Sequence, residues 1–183
     1  MSLATDKARY PVFGVLAEYE NSEDLIEAIE EAKSKGYSKM EGYTPLPVHE
    51  VIHAIGHKNR LPLIVLIGGI IGALAGFGMQ YFASVMHYPI NVGGRPLNSW
   101  PAFIVITFET TILFAALSCV LGMLALNGLP QPYHPVFNVP MFETASRNRF
   151  FLLLLARDPV FDREGAAELL GSSKSLAVEE VPH

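Results

Sequence analysis

The chain contains 183 residues, half of them hydrophobic, and its mean hydropathy is +0.30, which is too apolar for an ordinary soluble domain. It carries 18 acidic and 13 basic residues, so it offers no basic surface for a nucleic-acid backbone, and we expect no nucleic-acid partner. Cys119 is the single cysteine, which excludes an internal disulfide and a metal site built from several thiolates. The composition therefore predicts a small membrane protein with a separate polar part.

Residues 1–60 predict the N-terminal half of a soluble α+β domain. The first nine residues are polar and contain no apolar run, so we expect no secretory signal peptide and a cytoplasmic location for this half. Asn21 is a favourable helix N-cap, and Gly36 stands where a helix is expected to end. The predicted elements are a strand at 12–17, a helix between Asn21 and Gly36, a strand at 37–43 and a short helix at 48–56.

Two apolar stretches predict a transmembrane hairpin. Residues 61–86 carry no charge and are long enough to cross a bilayer as a helix. Residues 100–129 form the second span, in which Glu109 is the single charged side chain. Turn-forming residues fill the connecting loop at 87–99, so the two spans are expected to lie side by side.

The charges around the spans predict their orientation. Lys58 and Arg60 precede the first span, whereas the loop between the spans contains only Arg95. Because basic residues accumulate on the cytoplasmic side of a membrane, both termini are expected in the cytoplasm.

Residues 130–183 predict the C-terminal half of the soluble domain. They contain a Pro-rich connector at 130–140, a strand at 150–156, a helix at 162–170 that ends at Gly171, and a strand at 176–181. Each half thus supplies a strand, a helix and a strand, which is the element order of a ferredoxin-like domain with the hairpin inserted at its centre. Because a two-stranded sheet is not stable alone, we expect both halves to form one composite domain.

The spans contain small residues suited to close helix packing. Gly68, Gly72 and Gly76 repeat every four residues, a spacing that lets a second helix approach closely. The second span carries its own stripe of small side chains, formed by Thr111, Ala115, Ser118 and Gly122. These surfaces predict either packing within the hairpin or packing against a helix of another subunit.

Glu109 is the most informative residue of the second span. A charged carboxylate inside the bilayer costs a few kcal/mol at least, so we expect it to be protonated, paired or turned toward protein or water. On a helical wheel it lies away from the small stripe, and it points outward if the two small surfaces meet. The preferred interpretation is a hydrogen bond to a helix of another subunit, and the alternative is a proton-relay or quinone-site carboxylate.

A row of histidines precedes the first span. His49, Glu50 and His53 match the HExxH pattern of zinc proteases, and His57 continues the four-residue spacing. Five residues of this kind also occur by chance, and the predicted helix is only about two turns long. A polar face at the membrane surface is therefore preferred, and we assign no catalytic, cofactor-binding or metal-binding residue in this chain.

Three segments resemble the ActD subunit family of bacterial alternative complex III. The most specific runs from Tyr133 to Pro140 with the sequence YHPVFNVP and continues through 141–146 and 149–152. Residues 10–15 (YPVFGV) and 43–49 (YTPLPVH) resemble the N-terminal half of that family. The resemblance extends over residues 10–181 and includes the split order and the two spans.

The resemblance implies a non-catalytic structural subunit of a quinol-oxidising respiratory complex in the bacterial inner membrane. Its partners would be polytopic quinol-binding subunits, a multihaem cytochrome and an iron–sulfur subunit. Haem c and iron–sulfur clusters would be held by those partners, and this chain would hold no cofactor. Without the resemblance, an accessory or regulatory subunit of a membrane transporter would be an equally good interpretation, and a small zinc protease is the third.

Overall fold

The computed structural model describes residues 11–56 and 58–183, which divide into two compact units. The α/β unit contains the described residues up to 56 together with residues 132–183, and the hairpin unit contains residues 58–131. The polar start of the chain and His57 lie outside the described residues, and so do the predictions made for them.

The α/β unit is built on a four-stranded antiparallel sheet. Along the sheet the strand order is β2-β3-β1-β4, so β3 and β1 are central. Each strand pair within the described residues joins one strand from before the hairpin to one from after it. The strands are β1 (Gly14–Tyr19), β2 (Met40–Tyr43), β3 (Phe150–Leu155) and β4 (Ala177–Val181).

The four predicted strands are confirmed, with two changes of boundary: β1 was expected at 12–17 but runs from Gly14 to Tyr19, and the second change is at β2. Strand β2 was expected from residue 37 but begins at Met40. The backbone N–H groups of Ser38 and Lys39 donate to the carboxylate of Asp158, at 2.7 and 2.6 Å. The carbonyl of Lys39 accepts from the N–H of Leu155 in β3, but the N–H groups of both residues are held by the Asp158 side chain and not by a strand partner.

Three helices of the described residues cover the first face of this sheet. Helix α1 (Ser22–Ser34) begins as predicted, because the side chain of Asn21 accepts a 2.8 Å hydrogen bond from the N–H of Asp24. Helix α5 (Arg163–Ser172) is capped in the same way by Asp162. The short helix α2 (His49–Ile55) contributes Val51. Between these helices and the sheet lie Val15, Ala17, Tyr19, Leu25, Ile29, Leu152, Leu154 and Leu170.

The expected end of helix α5 at Gly171 was wrong. Gly171 lies inside the helix, and the residue with left-handed backbone is Lys174, with φ of 58°. The N–H of Ser173 donates to the carbonyl of Leu170, and the Ser173 hydroxyl lies 2.9 Å from that of Tyr19. Because Leu170 is fully buried, these contacts keep the last turn in place beyond the glycine.

The second face of the sheet is covered by the connector. The 3₁₀-helix Pro135–Asn138 lies in the connector, and a second one, Pro140–Thr144, begins at its last residue. Their neighbourhood includes Val136, Val139, Ala145, Phe151, Leu153 and Leu155, all buried. Burial on both faces explains why β3 is the unbroken apolar sequence FFLLLL and does not alternate.

The hairpin unit consists of two long helices. Helix α3 (Leu61–Tyr81) continues as a π-helix (Phe82–His87), and helix α4 runs from Trp100 to Leu126. The two predicted spans thus appear as helices long and apolar enough to cross a membrane. The named helices α3 and α4 pack against each other along their length.

Candidate functional site

Three glycines of helix α3 form the inner seam of the hairpin. Gly68, Gly72 and Gly76 are buried against helix α4. A Cβ atom built on Gly72 would lie 2.5 Å from the carbonyl oxygen of Thr110, a distance that real side chains do not tolerate. The hydrogen atom of glycine is therefore what allows the two backbones to come this close.

The predicted small stripe of helix α4 lies on the same seam. Ser118 faces Gly68, and Thr111 and Ala115 lie 3.8 and 3.7 Å from the Cβ position of Gly69. Gly122 is buried, and a Cβ there would lie 3.0 Å from Ile64. The structure thus places the small residues of both helices against each other within the hairpin.

A side-chain amide that was not predicted as a functional residue links the two helices at the end of this seam near the connecting loop. Gln80 on α3 donates through Nε2 to the carbonyl oxygen of Phe103 on α4 at 3.0 Å, and a weaker contact of 3.4 Å reaches Thr107 Oγ1. In an apolar environment such a bond between helices stabilises their pairing. The signal was available, since Gln80 is the single amide between residues 61 and 86.

Glu109 lies on the opposite side of helix α4 from this seam. Its side chain is exposed, and the structure shows no hydrogen bond or ion pair between Glu109 and any described residue. The neighbouring Thr110 faces the seam and donates to the carbonyls of Ile106 and Thr107 within its own helix. The carboxylate is therefore directed away from the hairpin.

The outer surface around Glu109 is apolar. Val105 and Phe108 are each 63% exposed, and Ile112 is 51% exposed. Along the most apolar 18 residues of α4, no side chain is buried inside the protein. A carboxylate surrounded by such side chains requires a polar partner if the surface is removed from water.

The HExxH residues stand on a short, exposed helix. His49, Glu50 and His53 are exposed on α2, while Val51 of the same helix is buried. Among residues 11–56 and 58–183 no group of three or more His, Cys, Asp or Glu side chains could hold a metal ion. The arrangement is that of a solvated helix face.

A polar cluster lies at the β2 edge of the α/β unit. Glu41 accepts a 2.8 Å hydrogen bond from the Tyr43 hydroxyl and lies 3.5 Å from Arg157. His134 is 3.8 Å from Glu41. Burial lowers the pKa of His134, and this effect is larger than the rise that the charge of Glu41 causes. The imidazole is therefore neutral near pH 7, and Arg157 is the cation that balances Glu41. Burial and the charge of Glu41 raise the pKa of Tyr43, so its hydroxyl remains a donor.

These observations define a class: a small α/β domain, interrupted by a pair of apolar helices that pack closely on each other and direct one carboxylate outward. The family described as "Alternative complex III, ActD subunit" matches residues 13–180. Because this match includes most of the chain, the protein belongs to the ActD family, and the resemblance found in the sequence is confirmed. It is a subunit of an oxidoreductase complex. A search of curated proteins found no match.

Proposed function

We propose that this chain is a non-catalytic, structural membrane subunit of alternative complex III, which holds cofactor-bearing partners in place through its hairpin. Family membership supports the complex, and the two apolar helices support insertion into the inner membrane. Haem c and iron–sulfur clusters would then belong to partner subunits.

The observation that carries the proposal is the direction of Glu109. The inner surfaces of the hairpin already contact each other through the glycine seam, so the seam leaves no free surface for a partner. The exposed side carries a carboxylate among apolar side chains. An isolated hairpin would hold that group against lipid at a cost of a few kcal/mol. A hydrogen-bond donor on a helix of a polytopic partner subunit removes this cost.

The strand pairing supports a topology with both hairpin ends on one side of the membrane. Strand β1 pairs with β3 and β4, and β2 pairs with β3, so the segments before and after the hairpin fold together. With Lys58 and Arg60 next to the first span, that side is the cytoplasm. The antiparallel strand order β2-β3-β1-β4 supports the ferredoxin-like fold predicted from the element order of the sequence.

The alternative of a transporter accessory subunit is not favoured by the family match. It makes a different prediction for the composition of the native particle. Extraction of the tagged chain in a mild detergent should recover haem and iron–sulfur subunits together with polytopic subunits. Recovery of a permease in their place would contradict the proposal.

The role of Glu109 can be tested in the assembled complex. Glu109→Leu should insert normally, since it removes a cost of crossing the membrane, but it should lower the yield of complex. Val105→Leu, on the same exposed side of the helix, is the control and should leave the yield unchanged. Glu109→Gln keeps hydrogen bonding and should restore the yield. If Glu109→Gln assembles normally but oxidises quinol slowly, the carboxylate has a proton-transfer role. Unchanged yield and unchanged quinol oxidation in Glu109→Leu would refute both roles.

A further inference from the structure

A cleft of about 360 Å³ opens at the looped end of the hairpin unit. This volume lies within the range of small-molecule sites. Ala83 and Ser84 belong to the π-helix, whose wider turn is a frequent feature of binding sites. The apolar lining is formed by Ala83, Ile90, Val92, Leu97 and Phe103.

Among the residues that the structure describes, Arg95 is the one cation that lines this cleft. Its Nε donates to the hydroxyl of Ser99 at 2.9 Å, which fixes one edge of the guanidinium. The loop before it is also held, because Asn91 Oδ1 accepts from the N–H of Gly94 at 3.1 Å. The only carboxylate between residues 61 and 129 is Glu109, far along helix α4. The positive charge therefore has no carboxylate beside it in the hairpin unit, whose residues 58–131 are all described.

The cleft is flanked by exposed aromatic side chains of the kind found at the level of lipid headgroups. Tyr88 and Trp100 stand on either side of the loop and are 68% and 57% exposed. Tyr and Trp accumulate at the boundary between the hydrocarbon and the headgroups of a bilayer. Inside the cleft Phe103 is only 7% exposed and provides a packed apolar wall.

We propose that this cleft binds a phospholipid, with its headgroup phosphate on Arg95 and one acyl chain along the apolar wall. The proposal rests on the membrane insertion given under the proposed function. An arginine pairs with phosphate through two parallel hydrogen bonds, and the phosphate supplies the anion that Arg95 lacks in its immediate surroundings. A neutral quinone would use the apolar wall but would leave the guanidinium without an anion.

The test uses the intact complex in nanodiscs that contain phosphatidylglycerol with a photoreactive diazirine in its acyl chain. After irradiation, peptide mass spectrometry should find the label on residues 83–103. Arg95→Gln should reduce that labelling about tenfold, since a hydrogen bond to a charged group stabilises by this order. Ala83→Trp, which fills the cleft and keeps the arginine, should reduce it as well. Arg60→Gln at the other end of the hairpin is the matched control and should leave it unchanged.

Competition distinguishes the occupants. Excess inorganic phosphate should leave the labelling unchanged, and so should an excess of a quinone analogue. Displacement by phosphate would show a simple anion site, displacement by the quinone analogue would show a quinone site, and either result overturns the proposal. Unchanged labelling in Arg95→Gln with normal complex yield also overturns it while leaving the proposed function intact. Failure of the wild-type chain to copurify with its partners contradicts the proposed function and is seen before any lipid is added.

Discussion

Substitution of Gly72 by alanine tests the glycine seam most directly. The added methyl group would lie 2.5 Å from the Thr110 carbonyl oxygen and 2.8 Å from Phe114 Cβ. The first of these atoms belongs to the backbone and cannot rotate away, so the helices must separate. Gly78 is the matched control, because a Cβ there meets no atom within 4 Å.

The size of the effect follows from the comparison of the two variants. Both replace glycine by alanine in one helix, so the gain of about 1 kcal/mol in helix propensity is common to both and cancels. Overpacking costs about 1–3 kcal/mol, which should appear as the difference between them. Helix association should therefore be about five- to 150-fold weaker in Gly72→Ala than in Gly78→Ala.

The assay follows the separation of the two helices. Fluorescent labels on cysteines at the exposed positions Leu66 and Val120, in a Cys119→Ser background, report the interhelical distance during titration of SDS into dodecylmaltoside micelles. We expect the transition of Gly72→Ala at a lower SDS fraction than that of Gly78→Ala. Equal midpoints, or a higher midpoint for Gly72→Ala, would show that the seam does not set the stability of the hairpin.

Further predictions concern single hydrogen-bonded groups. Gln80→Leu should lower hairpin stability in the same titration by about 0.6–1.7 kcal/mol, because it removes the bond to Phe103. Burial alone would raise the pKa of Asp158, but hydrogen bonds from the N–H groups of Val160, Ser38 and Lys39 lower it below 3.8. The stability that the ionised carboxylate contributes is therefore complete above that pH. It is lost as the pH falls through the pKa of the folded state. Asp158→Asn should therefore cost about 1–3 kcal/mol at pH 7 and flatten this acid dependence in urea unfolding; an unchanged acid limb would contradict the assignment. Tyr19→Phe and Ser173→Ala should each cost about 1 kcal/mol and the double variant less than their sum; strict additivity would exclude the bond.

The elements whose formation depends on residues close together in the sequence were predictable. The N-cap at Asn21, the apolar face of helix α1 and the two uncharged stretches are all properties of neighbouring residues, and the structure contains the corresponding elements. The outward direction of Glu109 followed from helical periodicity, because the small stripe occupies another side of the same helix.

The features that were missed depend on distant contacts. The start of β2 is set by Asp158, more than a hundred residues away, and the end of helix α5 is set by Tyr19. The cover formed by the connector has no regular period, since it consists of two short 3₁₀-helices between prolines. The apolar residues of this cover are explained only by the sheet face against which they pack.

The interleaved strand order has a consequence for biosynthesis. Because each described strand pair requires one partner from either side of the hairpin, the ribosome must deliver roughly a hundred residues between Tyr43 and Phe150 before any pairing begins. At about 5–20 residues per second this is a delay of roughly 5–20 s. During that time the apolar residues of β1 have no strand partner, so we expect chaperones to bind this part of the nascent chain. A completed sheet therefore shows that both helices of the hairpin have already been synthesised.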